Sequence, residues 1–300
     1  MMIIGPRARK YSYIFSGTLV LLSFLALVVW GLRLGIDFTG GSLMEVEFND
    51  SRPANDDIAL KLKEAGVENA TLQPTGERGL ILRTKDLNEA EHQRVFAELK
   101  SLGDLSEKRF DSIGPTIGKE LRRKSLWAIL FVLIMIVAYI SWAFREVSRP
   151  MSSWKYGLAA IVALVHDVSI PTGVFAVLGR FYGVEADTLF VTALLTILGF
   201  SVHDTIVVFD RIRENLKKAG GSRPDFENVV EKSVKDTVSR SINTSLTVIF
   251  VMLMLYFFGG APTKYFSLAI IIGVSFGTYS SIFIASALLV SWHNWSLKRA

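Results

Sequence analysis

No cysteine occurs anywhere in the 300-residue chain. Disulfide staples and thiolate metal sites are therefore excluded, and any exported segment must fold on its apolar core alone. No GxxxxGK[ST] stretch is present, so the chain carries no P-loop, and ATP use would belong to a partner. The apolar stretch from about Tyr11 to Leu34 lacks a small-x-small cleavage site and exceeds the core of a signal peptide. It reads as a retained first span. What the chain has in quantity is apolar side chains, 50% of all residues, with a mean hydropathy of +0.38. That balance fits a polytopic membrane protein with one polar insert rather than a soluble domain. The net charge of +5 sits mostly beside apolar runs, which is the distribution of juxtamembrane charge and not of a nucleic-acid patch.

About 20 apolar residues cross a hydrocarbon core of roughly 30 Å. Six segments qualify, at about 12–34, 125–144, 155–178, 188–210, 239–259 and 264–292. The insert at about 35–120 alternates in GGSLMEVEF, where Met44, Val46 and Phe48 oppose Glu45 and Glu47 as in a half-buried strand. Ile58, Leu62 and Ala65 then recur at helical spacing over 55–66, and GLILRT reads as a strand. Asn88 with Glu91 three residues on forms a capping box ahead of Val95, Leu99 and Leu102, and Lys108 to Ile113 reads as a last, weaker strand. The order is about β-α-β-β-α-β, which predicts a small α+β, ferredoxin-like domain. The expected division is thus 1–34 for the N-terminus and first span, 35–120 for the domain, and 121–300 for the other five spans, with a loop at about 211–238. Val230 and Val234 mark a surface helix over 226–238 within that loop.

Orientation is read from Lys and Arg. Arg7, Arg9 and Lys10 precede span one. Arg145, Arg149 and Lys155 lie between spans two and three, and Arg211, Arg213, Lys217, Lys218, Arg223, Lys232 and Lys235 between spans four and five. Lys298 and Arg299 close the chain. The positive-inside rule then places both termini in the cytoplasm and the 35–120 domain outside. Lys119, Arg122, Arg123 and Lys124 run against the rule, after a long translocated segment where it weakens.

Span four contains His203 and Asp204 within an apolar run. An Asp at a helix centre costs roughly 2.5–3.5 kcal/mol on the insertion scale. Thirteen Leu, Ile, Phe and Val residues over 189–209 return roughly 4–8 kcal/mol. Insertion is therefore tolerated, but tolerance does not explain the residue. Three readings stand open: a hydrogen bond to a neighbouring helix, a proton or ion site, or a metal site shared with His166 and Asp167 of span three. Counting from the expected span ends leaves the two pairs about 9 Å apart in depth, which disfavours metal. Arg240, just inside span five, is the available countercharge. Burial favours a neutral carboxyl and a nearby guanidinium the ionised one, so such a pair can switch when helix spacing changes. Snorkelling to headgroups is the simpler role for Arg240. Asp210, Arg211, Arg213 and Glu214 are spaced for ordinary helical ion pairs.

At these residues the chain closely resembles the SecF family of bacterial protein export. The matching stretches are GIDFTGG (35–41), IGPTIGKEL (113–121), LVHDVSI (164–170), FSVHDTIVVFDRIREN (200–215) and TVSRSINTS (237–245), in order and across six spans. The resemblance implies a member of the proton-coupled resistance-nodulation-division superfamily that pairs with a separate SecD in a twelve-span assembly beside the SecYEG channel. A YajC-type accessory protein, unfolded preproteins and membrane lipid are further implied partners, and nucleic acid is not. It implies no enzyme chemistry and no cofactor beyond the proton gradient, with the chain in the bacterial cytoplasmic membrane. In that family a span-four Asp and a span-five Arg are implicated in proton coupling. The matching residues are Asp204 and Arg240, with His203, Asp167 and His166 as accessory candidates. Gly35, Asp37, Thr39, Gly40 and Gly41 are expected to shape the junction after span one or the SecD interface. Two rival functions are a half-size exporter of lipids or small amphiphiles, which the small insert disfavours, and a structural subunit that only stabilises SecD.

Overall fold

The computed structural model describes residues 3–67, 70–144, 152–219 and 225–298. Arg145, Arg149, Arg223 and Arg299 of the orientation argument lie outside them. The chain divides into two units. One comprises the residues up to Leu32, Ala128–Val184 and those from Leu189 onward; the other comprises Arg33–Trp127 with the four residues Glu185–Thr188.

The first unit is built from α1 (Pro6–Trp30), most of α5 (Pro115–Ala143), α6 (Ser153–Tyr182), α7 (Thr188–Lys218), α8 (Phe226–Phe258), α9 (Ala261–Ser280) and α10 (Ser286–Leu297). A π-helical turn at Ser281–Ala285 joins the last two. Among the described residues six helices are long and apolar enough to cross a membrane, α9 and α10 counting as one. The chain is thus a multi-pass α-helical membrane protein. Its helices extend beyond the expected spans. Pro115 opens α5 ten residues early, because a proline without an amide donor suits a first helical turn. The expected loop at about 211–238 is largely helix: α7 continues to Lys218, and α8 runs unbroken from Phe226 into the apolar segment. Asp225 caps α8 by accepting from the Glu227 amide at 3.1 Å. The surface helix expected over 226–238 is therefore the first third of a 33-residue helix.

Lipid tails are as apolar as Leu, so membrane helices associate through close packing of small residues and through polar contacts. Both occur here. Ala159, Ala160 and Ala163 of α6 are buried in a cluster with Leu198, Val202 and Phe209 of α7 and with Ile282 and Leu289. Gly273 and Gly277 of α9, one turn apart, face Ile197 and Ser201 of α7 so closely that a Cβ at Gly273 would overlap the Ile197 side chain. Large apolar residues on α1, α5 and α8 stay exposed, among them Val28, Met135 and Phe257, as lipid or a partner would require.

The second unit begins with a single helical turn, α2 (Ile36–Thr39), followed by β1 (Gly41–Phe48), α3 (Asn55–Glu64), β2 (Thr71–Thr75), β3 (Gly79–Thr84), α4 (Glu89–Lys100) and β4 (Leu105–Ile113). The sheet is antiparallel with order β2-β3-β1-β4, the ferredoxin-like arrangement. Met44, Val46 and Phe48 pack against Ile58, Leu62, Leu80, Leu82, Val95 and Leu99, all buried. Asn88 accepts from the Glu91 amide at 3.0 Å, and Glu91 accepts from the Asn88 amide at 2.9 Å. β2, which contains Pro74, lies at a sheet edge, where a strand tolerates a missing donor.

Candidate functional site

Span three and span four both carry a His-Asp dipeptide, yet the fold treats the two differently. In α6 both side chains are inside: Asp167 is wholly buried and His166 nearly so. His166 Nδ1 lies 2.8 Å from Asp167 Oδ1, and Ser280 of α9 donates to Oδ2 at 2.7 Å. Ser201 of α7 donates to the same oxygen. Three helices therefore meet on one carboxyl group. Pro171 lies four residues beyond Asp167 in α6 and has no N–H, so the Asp167 carbonyl lacks its regular helical donor. His166 Nε2 is buried without a hydrogen-bond partner.

In α7 the dipeptide splits. Asp204 is buried, 4% exposed, whereas His203 is exposed. The four groups do not converge. The Ser201–Asp167 bond also revises their depth: Asp204 lies three residues past Ser201, about 4.5 Å along the helix axis, not the about 9 Å counted from the expected span ends. The helices run past the expected spans, α6 beginning at Ser153 and α7 continuing to Lys218.

A hydroxyl series occupies the interior around these carboxyls. Thr205 and Ser281 are hydrogen bonded at 2.8 Å, and Ser281 also donates to the Ser201 carbonyl at 3.4 Å. Ser245 of α8 bonds Thr278 of α9. Ser241 of α8 and Thr278 of α9 lie near Asp204, whose Oδ2 is buried without a hydrogen-bond partner, as is the Ser241 hydroxyl. Arg240 is within electrostatic reach of Asp204 but is exposed and makes no ion pair with a described residue. The site thus combines a buried carboxyl with an unfilled oxygen, interior hydroxyls around it and a cation within electrostatic reach, the features that mark an intramembrane ionisable residue as a candidate functional site. Sequence reasoning missed the hydroxyls. Their signal was available: Ser201 with Thr205 and Ser241 with Ser245 recur at i, i+4 within apolar spans.

The GIDFTGG junction lies wholly in the second unit. Asp37 Oδ2 accepts from the Thr188 amide at 2.8 Å and from its hydroxyl at 2.5 Å, so Asp37 caps the start of α7. Thr39 donates to the Gly35 carbonyl at 3.0 Å and so closes the α2 turn. Gly40 and Gly41 have φ of +75° and +127°, and a Cβ would lie 2.8 Å from Pro115 Cα or 2.6 Å from the Thr84 carbonyl oxygen, respectively. Only glycine fits both demands. Gly35 has an ordinary φ of −73°, and its amide donates to the Ala186 carbonyl at 2.9 Å.

Comparison with known proteins bears on these same segments. The family described as protein export membrane protein SecD/SecF, C-terminal, matches residues 93–295, and the SecD/SecF GG motif matches residues 26–51. The chain belongs to the SecD/SecF protein-export family. Within it, the chain is 46% identical over 303 aligned residues to a protein translocase subunit SecF of Thermobaculum terrenum, covering 96% of this chain and 93% of that protein. A SecF of Anaerolinea thermophila is 37% identical, with coverage of 96% and 94%. The crystal structure of SecDF, a translocon-associated membrane protein from Thermus thermophilus, superposes with a TM-score of 0.83 at 32% identity over 98% of this chain. This chain corresponds to 40% of the SecDF chain, so it matches part of a longer polypeptide. The residues matched by the GG motif of the SecD/SecF family span the junction just described and include Gly40 and Gly41, the two positions where the backbone would reject a Cβ.

Proposed function

We propose that the chain is the SecF subunit of the Sec protein translocation machinery, which works with a separate SecD and uses the proton gradient to promote late steps of preprotein export. The relatives are named translocase subunits, a transport role rather than a catalytic one. The longer SecDF chain supports SecD as the partner. SecYEG, a YajC-type protein and unfolded preprotein are the further partners in this reading. The site lies in the bacterial cytoplasmic membrane, with the termini cytoplasmic and the small domain outside, on the strength of the Lys and Arg distribution.

The observation that carries the reading is Asp204, a carboxyl group 4% exposed, with one oxygen unpartnered, in an interior lined by hydroxyls. Asp204 holds the proton, and Arg240 engages the carboxylate when the proton leaves. Asp167 and His166 form an accessory station reached through Ser201, while His203, exposed, faces lipid or SecD. One charge moved through 100 mV supplies about 2.3 kcal/mol, so export requires repeated strokes. The test uses inverted vesicles depleted of their SecF and supplied with this chain together with its own SecD. Restored completion of preprotein export, lost again when an ionophore collapses the gradient, is the expected result. Restoration insensitive to the ionophore would favour the purely structural subunit.

A further inference from the structure

The link between α6 and α7 is four residues of the second unit, although it connects two helices of the first. Leu34 pairs with Ala186 as in a parallel sheet: the Ala186 amide donates to the Arg33 carbonyl at 2.8 Å, and the Gly35 amide to the Ala186 carbonyl at 2.9 Å. One residue earlier, Glu185 Oε1 sits 2.6 Å from Arg83 Nε of β3 and 3.6 Å from Arg33 Nε. The Arg83 and Glu185 side chains are only 14% and 13% exposed, and Arg83 is steadied by donating to Gln73 of β2 at 2.8 Å. Two residues later, Thr188 is held by Asp37. An isolated two-residue pairing is too short to persist by itself, so the side-chain clamps decide whether the link stays attached.

We propose that Glu185 is a positioning residue, which through Arg83 and Arg33 makes the α6–α7 link a part of the small domain, so that movement of that domain is transmitted into α7, the helix that bears Asp204. This rests on the proton-coupled export reading. Glu185 touches no transported proton; it acts by holding Ala186 against Leu34. Burial is the main influence on its carboxyl group and raises its pKa, against the pull of Arg83 and Arg33. Gln keeps the shape but leaves the largely buried Arg83 without its countercharge, so it should loosen the link in part, and a Lys facing two arginines should open it.

The absence of native cysteine makes the test direct. Ala186 is 3% exposed, so in the assembled complex Ala186→Cys should resist a membrane-impermeant maleimide, relative to Glu77→Cys in the exposed β2–β3 turn. Adding Glu185→Lys should raise that relative labelling about tenfold or more and abolish the gradient-dependent export stage, while Glu185→Gln falls between wild type and Glu185→Lys in both. The charge swap Glu185→Arg with Arg83→Glu should restore both. A disulfide between Leu34→Cys and Ala186→Cys in the Glu185→Lys background should restore export, the one readout left once both thiols are consumed, since paired strand positions lie about 4.8 Å apart, within disulfide range. Unchanged labelling in Glu185→Lys, or raised labelling with normal export, overturns the proposal. Export blocked by the disulfide in an otherwise wild-type chain overturns it too, because the link would then need to open. A wild-type complex with no gradient-dependent stage would sink the export reading and the transmission it serves, while the labelling still decides whether Glu185 holds the link.

Discussion

The contact between α7 and α9 gives a prediction that depends on no assumption about transport. A Cβ at Gly273 would overlap Ile197 Cδ1 and Cγ1 and would approach Cγ2 at 2.8 Å. Ile197 is fully buried and cannot swing away into open space. Gly273→Ala should therefore cost about 1–3 kcal/mol, the usual price of overpacking a filled interior. Ile197→Ala removes all three obstructing atoms but opens a cavity, at about 2–5 kcal/mol in well-packed cores. In the double variant the new methyl group occupies part of that cavity, so the combined loss should fall short of the sum by about 1 kcal/mol or more. The assay is equilibrium unfolding of the purified chain in mixed micelles against a denaturing detergent, followed by circular dichroism for all four members of the cycle. Additivity within about 0.5 kcal/mol, or a neutral Gly273→Ala, would refute the packing argument. Because Ser201 and Gly277 lie one turn further along the same contact, Gly273→Ala should also weaken the Ser201 bond to Asp167.

Three further outcomes are expected. Asn88→Ala removes one half of the capping box of α4 and should lower the stability of the small domain by about 1 kcal/mol, read as a shift in its thermal unfolding with the Leu99 environment as reporter. Gly41→Ala, with φ of +127° and the Thr84 carbonyl oxygen 2.6 Å from the new Cβ, should cost more than the about 1–2 kcal/mol of the backbone conformation alone; a loss below 1 kcal/mol would contradict the geometry. The Glu47 carboxylate accepts a hydrogen bond from Lys108, their nitrogen–oxygen distance being 3.0 Å, and this holds it below the ordinary carboxylate range, with Arg78 adding to the effect. Its contribution to stability is thus present above the ordinary carboxylate pKa and lost as pH falls through the lowered value. Lys108→Ala should return the Glu47 titration, followed by carboxyl carbon NMR, toward the ordinary value.

Much of the fold follows from local pattern. The alternation of Met44, Val46 and Phe48 placed β1, and the Asn88–Glu91 pair placed the start of α4 at its observed position. β2 was not legible as a strand, because TLQPT has no alternating buried face and contains a proline; only its pairing with β3 makes it one. The helices outrun the expected spans for a related reason. Hydropathy reports where lipid begins, while helix continues as long as hydrogen bonds and ion pairs such as Arg211 with Asp236 at 2.7 Å support it. Depth counted from those spans therefore set Asp167 and Asp204 further apart than the Ser201–Asp167 contact does. The identities of Asp204 and Asp167 were visible as charges in apolar runs, but their partners were not, because Ser and Thr in a span carry no hydropathy signal of their own. Glu185 lay in a short connection between spans, where nothing in the sequence tells that Arg83, about a hundred positions earlier, will meet it.

Whether Asp204 carries the coupling proton is decided by gradient-dependent completion of preprotein export with Asp204→Asn, with assembly with SecD checked in the same membranes. Assembly should be normal, since Asn matches the shape of Asp and no described ion pair is lost, and the gradient-dependent stage should disappear. Normal assembly with undiminished gradient-dependent export would contradict it and would leave Asp204 as packing between α7, α8 and α9.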